Sequence, residues 1–461
     1  MLIRVLRLFA LLLIILIVVW ALVLGWWQSN DHTPSTTENL LYLVALPLAL
    51  FGGFVLLNGF INGLRNAPPA KAEPATSASA APLEQTDDAE RRHQLVLLAS
   101  ALITAAGQDA SSVIASTQAG KAPKPDSTLK DEDGFPVFSS RVDDIEMSAF
   151  VESIGAFADT SAWPEELMRN LAMADRVFSD LFIELRDLLD PHAHTDFDLR
   201  VDWVMDKPVD AAWLAGIETW LQETHLATLA PRRARIQLHA CVDDLSALRL
   251  VDELIVELNG RPGPAIATVV ASMSNLSDPR VMQWQRERRL FTPQQQNGQI
   301  PGEVAAGILL TPEATARLLA AESPLSLSRI NIHQRDKPAD AGGRISADLC
   351  TRLASDLLRL LECPAATVAA LVSDGDHRAT RQAEALGVID DTFEALDPSQ
   401  HYAPIGTVCG SAPPASALLA LQCAAQMVRD TGAPVLALSV QHPVLRAAAL
   451  IQPLPDPESK N

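Results

Sequence analysis

Cys241 stands where the pattern of the chain changes. Residues 235–240 read as a short apolar strand and residues 242–258 as an amphipathic helix. A thiol at such a junction lies at a helix N-terminus, where the dipole favours the nucleophilic thiolate. His239, two residues earlier, shares the thiol's face on a strand and is a candidate base. Asp243 and Asp244 oppose this chemistry. They fall in the first helical turn, where carboxylates stabilise the helix but disfavour a second anion and raise the thiol pKa. Three readings of Cys241 stay open: a small packed hydrophobe, a nucleophile, and a redox or acylation site.

Other candidates are sparser. His192 and His194, in Pro191-His192-Ala193-His194, resemble a metal pair, but no Cys or further His lies near in sequence, so no metal is inferred. The five cysteines (241, 350, 363, 409 and 423) form no C-x-x-C pair. An odd set of thiols without ligand spacing suits a reducing compartment. Cys409 and Cys423 read as core residues. There is no phosphate loop, nucleotide fingerprint or serine-hydrolase elbow, and no cofactor is implied.

The elements that must position these residues alternate. Strand patterns cover residues 94–104, 199–205, 235–240, 266–272, 302–310, 326–333, 367–372 and 434–440. Helical patterns cover residues 109–119, 168–189, 209–224, 242–258, 346–361 and 415–429. Strands separated by helices predict a layered α/β domain with mainly parallel pairing. Before it, residues 8–27 and 40–63 are apolar runs of bilayer length, read as two transmembrane helices of a hairpin spanning residues 1–65. Arg4, Arg7, Arg65 and Lys71 flank the spans, and the loop between them has no Lys or Arg. Both termini are therefore expected on the cytoplasmic side of the inner membrane. Residues 66–93 form a linker that is rich in Pro and Ala in its first part. The whole chain has a formal charge of −20, and only two of its 56 acidic residues precede residue 72. So acidic a domain is not expected to bind nucleic acid through its general field.

Several motifs carry a family resemblance. The opening run from Leu95 to Asp109 is followed by Gly120-Lys121 and Gly134-Phe135-Pro136-Val137. Next come Ala240-Cys241 with Leu245, Ala247, Leu248 and Leu250, and then Ile266–Ser274 with Leu276-Ser277-Asp278-Pro279. Gly298-Gln299-Ile300-Pro301-Gly302-Glu303-Val304-Ala305-Ala306-Gly307 and the runs 406–417 and 434–439 complete the set. In this order and spacing the chain resembles the β-ketoacyl synthases of the thiolase superfamily over residues 94–452. The resemblance implies a five-layered αβαβα domain of two similar halves, residues 94–322 and 323–452, ahead of a tail at 453–461. It also implies a homodimer.

In that family the thiolate takes an acyl group, and two histidines assist malonyl decarboxylation. The positions that match those histidines hold Asp374 and Ser411, and His377 lies about a turn from the first. The lysine that usually precedes the second histidine is missing, and Val440-Gln441-His442-Pro443 replaces the family's glycine-rich loop. The leading expectation is a membrane-anchored, thiolase-fold protein without condensing activity. It would act as a scaffold or adapter, or bind an acyl thioester or acyl-carrier protein. A second expectation is a divergent ketosynthase or acyltransferase in which Cys241 is acylated and His377 or His239 serves as base. A third is an accessory component of a secretion or envelope machine, with a membrane-machine protein as partner.

Overall fold

A computed structural model describes residues 88–206, 210–229, 232, 234–341 and 345–455, together with Trp20 and Trp26. The two apolar spans, apart from those tryptophans, lie outside the described residues. Among the described residues no helix is long and apolar enough to cross a membrane.

The domain begins with β1 (Gln94–Thr104) and α1 (Ala110–Gln118), then a two-stranded ribbon of β2 (Lys124–Lys130) and β3 (Pro136–Ser139). Next come α2 (Met147–Gly155), α3 (Glu165–Leu189), β4 (Asp198–Met205), α4 (Ala211–Trp220) and β5 (Ala234–Ala240). They are followed by α5 (Ser246–Asn259), β6 (Ala265–Ser274), α6 (Asp278–Arg286) and β7 (Glu303–Thr311). The second part contains β8 (Leu325–Ser328), β9 (Asn331–Gln334), α7 (Asp348–Leu360), β10 (Ala370–Ser373) and α8 (Ala379–Thr392). It ends with β11 (Tyr402–Pro404), α9 (Ala415–Thr431), β12 (Val435–Ser439) and β13 (Leu445–Pro453).

One large sheet runs β11-β10-β12-β13-β8-β1-β7-β6-β4-β5, with β9 beside β13. The order reads alike from both ends. Each wing has a parallel trio, β5-β4-β6 or β11-β10-β12, then an antiparallel strand, β7 or β13. The wings join where β1 pairs antiparallel with β8. The expectation of mainly parallel pairing is therefore corrected: βα units give parallel pairs in each wing, while β6–β7, β12–β13 and the central seam are antiparallel. The β2–β3 ribbon was also not foreseen. Its exposed, lysine-bearing β2 has no clean two-residue alternation.

Alternation along the strands feeds three apolar clusters. In β6, Ala265, Ala267, Val269 and Ala271 face a central cluster, and Ile266 and Val270 face an outer one with α3. In β12, Val435 and Ala437 face the central cluster, and Leu436 and Leu438 face α7 and α8. Strands of both wings thus cover the same central helices, α5 and α9, which gives an αβαβα stack. Both faces of β6 and β7 are buried, which is why they read as unbroken apolar runs.

The site is held by one close backbone crossing. Gly302 N–H donates to Ser411 O at 3.2 Å, and Ser411 N–H donates to Ile300 O at 2.8 Å. A Cβ on Gly302 would stand 2.2 Å from the carbonyl oxygen of Cys409. Gly302→Ala is therefore expected to cost about 1–3 kcal/mol, the usual range for overpacking, read as a lower urea midpoint. An unchanged midpoint would refute the crossing.

Candidate functional site

The Cys241 turn differs from its expected form. β5 ends at Ala240, and α5 starts only at Ser246. Cys241 lies in the intervening turn, its N–H donating to Met205 O at 2.8 Å. The expected helix start at residue 242 is corrected. Ser246 Oγ accepts from the Val242 and Asp243 N–H groups, both at 3.0 Å, and donates to Asp243 O. That hydroxyl holds the first residues in a turn instead of a helix. The thiol therefore lacks the helix-terminal position that would stabilise a thiolate.

Its surroundings act the same way. Cys241 Sγ is 3.7 Å from Asp243 O. Burial pushes its pKa up to about 12; Asp244, Asp206 and Asp243 add to the rise, and Arg280 opposes it. Arg280 is itself paired with Asp206 at 2.5 Å. Asp243 is engaged by Arg249 at 2.5 Å and accepts from Leu245 N–H at 2.9 Å, so it caps its own turn.

Neither candidate base is bonded to the thiol. His239 Nε2 lies 2.7 Å from Oδ1 of the buried Asp202, which also takes Arg200. His377 Nε2 lies 3.3 Å from Gln296 O, and its ring meets Phe291 edge-on at 5.0 Å. His192 contacts Phe197, and among the described residues no group of three or more His, Cys, Asp or Glu is placed to hold a metal. Cys409 and Cys423 are buried in the central cluster.

Asp374 follows β10 directly and is 1% exposed. It accepts from the Val440 N–H at 2.7 Å, the Gln441 N–H at 3.2 Å and the Ser439 hydroxyl. It thereby ties the loop after β10 to the loop after β12. Ser411 is equally buried, and its hydroxyl has no hydrogen-bond partner among the described residues. Its carbonyl accepts from Asn275 Nδ2 at 2.8 Å.

Between these loops lies a set of charges that sequence reasoning missed. Arg378 Nε donates to Asp376 Oδ2 at 2.9 Å, Arg378 Nη2 to Gln441 Oε1 at 2.6 Å, and Gln441 Nε2 to Asp376 Oδ2 at 3.1 Å. All three residues are buried, so the triangle closes on itself. Arg381 pairs with Asp340 at 2.8 Å, while Arg446 and Arg335 both take Glu384. The visible signal is His377-Arg378-Ala379-Thr380-Arg381, two arginines at the start of α8 whose partners the sequence does not name. A cavity of about 620 Å³ opens elsewhere, among Lys121, Lys124, Asp126, Arg141 and Val408.

Solved structures share this architecture. The ishigamide ketosynthase/chain length factor is 16% identical, with a TM-score of 0.52, covering 78% of this chain and 100% of that chain. A type II PKS acyl-carrier protein in complex with its ketosynthase bound to the hexaketide gives 12% identity and a TM-score of 0.55, over 79% and 100%. The ketosynthase from module 1 of the bacillaene synthase from Bacillus amyloliquefaciens FZB42 gives 14% and 0.53, over 80% and 74%. No protein-family model matches the chain. No curated protein matches it either. At these identities the likeness is one of fold: the chain has the thiolase-like fold of the β-ketoacyl synthases.

Two carboxyls of the site carry a pH signature. Burial raises Asp374 to about 6, against its bonds to Ser439 and Val440 and with the help of Asp244. Burial likewise raises Asp244 to about 6, opposed by Arg289. A carboxyl raised by folding is stabilising while protonated; that contribution is full below the unfolded value and is lost as pH rises through the folded one. Asp374→Asn, whose Oδ1 can still accept from residues 440 and 441, is expected to gain stability over wild type as pH rises from about 4 to 7. The upper limit is about 1.4 kcal/mol per pH unit for one proton. Parallel urea-stability profiles of wild type and variant would contradict it.

Proposed function

We propose that this protein is a membrane-anchored, cytoplasm-facing member of the thiolase-fold class that binds an acyl group or an acyl-carrier partner without condensing it. One observation carries the reading: Cys241 is held protonated by burial and by the charges of Asp244, Asp206 and Asp243, and both candidate bases are engaged elsewhere. A condensing site needs the opposite, an accessible thiolate with donors aimed at the developing enolate and oxyanion. Residues 1–65 are the anchor on the strength of their hydropathy and flanking charges. A carrier partner is in keeping with the solved ketosynthase that carries its acyl-carrier protein. The buried charges between the loops favour a fixed scaffold over a cleft open to an extender unit.

Full-length protein recovered from membranes is expected to show no malonyl-thioester decarboxylation above that of Cys241→Ala. Iodoacetamide should label Cys241 no faster than an ordinary thiol, whose pKa is about 8.5. Cys241-dependent decarboxylation, or selective labelling of Cys241 near neutral pH, would return the protein to the condensing enzymes.

A homodimer belongs to the same reading. Among the described residues β5 pairs on one side only, with β4, and so ends the sheet. Just beyond it Val242 is 85% exposed. An unpaired edge beside an exposed apolar residue is what a second copy would cover. Light scattering in detergent is expected to give a dimer that Val242→Glu converts to a monomer. A monomeric wild-type protein would end this part of the reading.

A further inference from the structure

The cavity of about 620 Å³ has no part in the reading so far, and Cys241 does not line it. Part of its wall is the end of α1 and the chain that leads into β2. α1 closes on Gly120, at φ +63°. The Gly120 N–H donates to Thr117 O at 3.0 Å, and the Lys121 N–H donates to Ser116 O at 3.1 Å. Such a pair of returning bonds needs a left-handed residue, which glycine supplies. The turn brings Lys121 back over the helix end, where its Nζ donates to Ser116 Oγ at 3.2 Å. Lys124 opens β2 between Pro123 and Pro125 and pairs with Ser139 of β3. Both lysines line the cavity, each carried by a fixed stretch of backbone.

The charges around the cavity are unevenly used. Arg141 is spent: its Nε and Nη2 hold the Asp126 carboxylate at 2.9 and 3.1 Å. Ser139 donates to the same carboxylate at 2.6 Å. By contrast, Lys121 and Lys124 form no ion pair among the described residues. Asp143, exposed and also part of the lining, opposes them. The chain as a whole is strongly acidic, yet three of its seven lysines fall at 121, 124 and 130.

The ligand's chemistry follows from the donors left over. A planar carboxylate is matched best by a guanidinium fork, and the fork here already holds Asp126. Ammonium groups act as point charges and suit the several oxygens of a phosphate. The volume is that of a small-molecule site, and Ala106, Pro123, Pro125 and Val408 give it apolar surface. Its floor is preformed: Ser140 Oγ donates to Val408 O at 3.0 Å, and the Ser140 N–H to Pro301 O at 3.0 Å. We propose that this cavity binds a small organic phosphate, its phosphate held by Lys121 and Lys124 and its organic part on the apolar lining. The site stands or falls independently of the acyl-binding reading.

The test titrates the full-length protein in detergent with phenyl phosphate at low ionic strength, read by calorimetry. One site per chain is expected. Lys121→Met and Lys124→Met should each weaken binding about tenfold, the lower end of the worth of a hydrogen bond to a charged group. Asp143→Asn should tighten it about twofold to fivefold, the range for an exposed charge pair. Lys130→Met removes an exposed lysine that does not line the cavity, and should leave binding unchanged. Benzoate, which puts a carboxylate on the same ring, should bind about tenfold more weakly than phenyl phosphate. No binding of phenyl phosphate by wild type would overturn the proposal. So would an equal loss in Lys130→Met and Lys121→Met, which would mark the general field of the ribbon, or equal binding of benzoate. Should Lys121→Met fail to fold, Lys124→Met, Asp143→Asn and the benzoate comparison decide.

Discussion

The architecture depends on α9 being buried on every side. From Ala415 to Ala425 each of its residues is buried, and Met427 and Val428 extend the run. A helix that is apolar all round needs a wall on each face. The two wings of the sheet supply it, one through β6 and β7 and the other through β10, β12 and β13. Alanines at 415, 417, 420, 424 and 425 let the strands come close. The polar Gln422 sets the register, because its amide donates to Ala101 O at 2.9 Å and Gly307 O at 2.6 Å. One side chain thereby fixes α9 to β1 and β7.

With the fold closed in this way, the loops at the ends of β5, β10 and β12 meet, and their chemistry is that of paired charge. Where the ketosynthase resemblance implies histidines, the molecule has a buried aspartate bound to two backbone amides and a buried serine. The Asp376–Arg378–Gln441 triangle and the Arg446–Glu384 pair stitch the adjacent segments together. Buried ion pairs contribute little net stability after desolvation, yet losing one partner is costly. Their effect here is to hold the loops in one arrangement. The Cys241 thiol is kept protonated by other means, its burial and the carboxylates of Asp244, Asp206 and Asp243.

Local pattern carried much of the fold. β1 was visible as an unbroken apolar run, and the long helix α3 by its helical period over many residues. The strand-to-helix change around Cys241 was visible too, but not its form. That turn depends on the hydroxyl of Ser246, which competes with helical hydrogen bonds in a way that periodicity does not register. The β2–β3 ribbon escaped because its small cluster draws on Leu276, Val281, Trp284 and Leu290, far away in the chain.

Residue types and order sufficed for the α/β class and for the ketosynthase resemblance, which implies histidines where Asp374 and Ser411 stand. These are properties of short stretches and their spacing. Tertiary structure alone decided who partners whom: His239 with Asp202, Asp374 with the amides of 440 and 441, and Arg378 with Gln441. The physical reason is separation. Partners as far apart as Asp374 and Val440 meet only when two strands of one sheet bring their loop ends together, and a charge acquires its pKa only from neighbours that folding supplies.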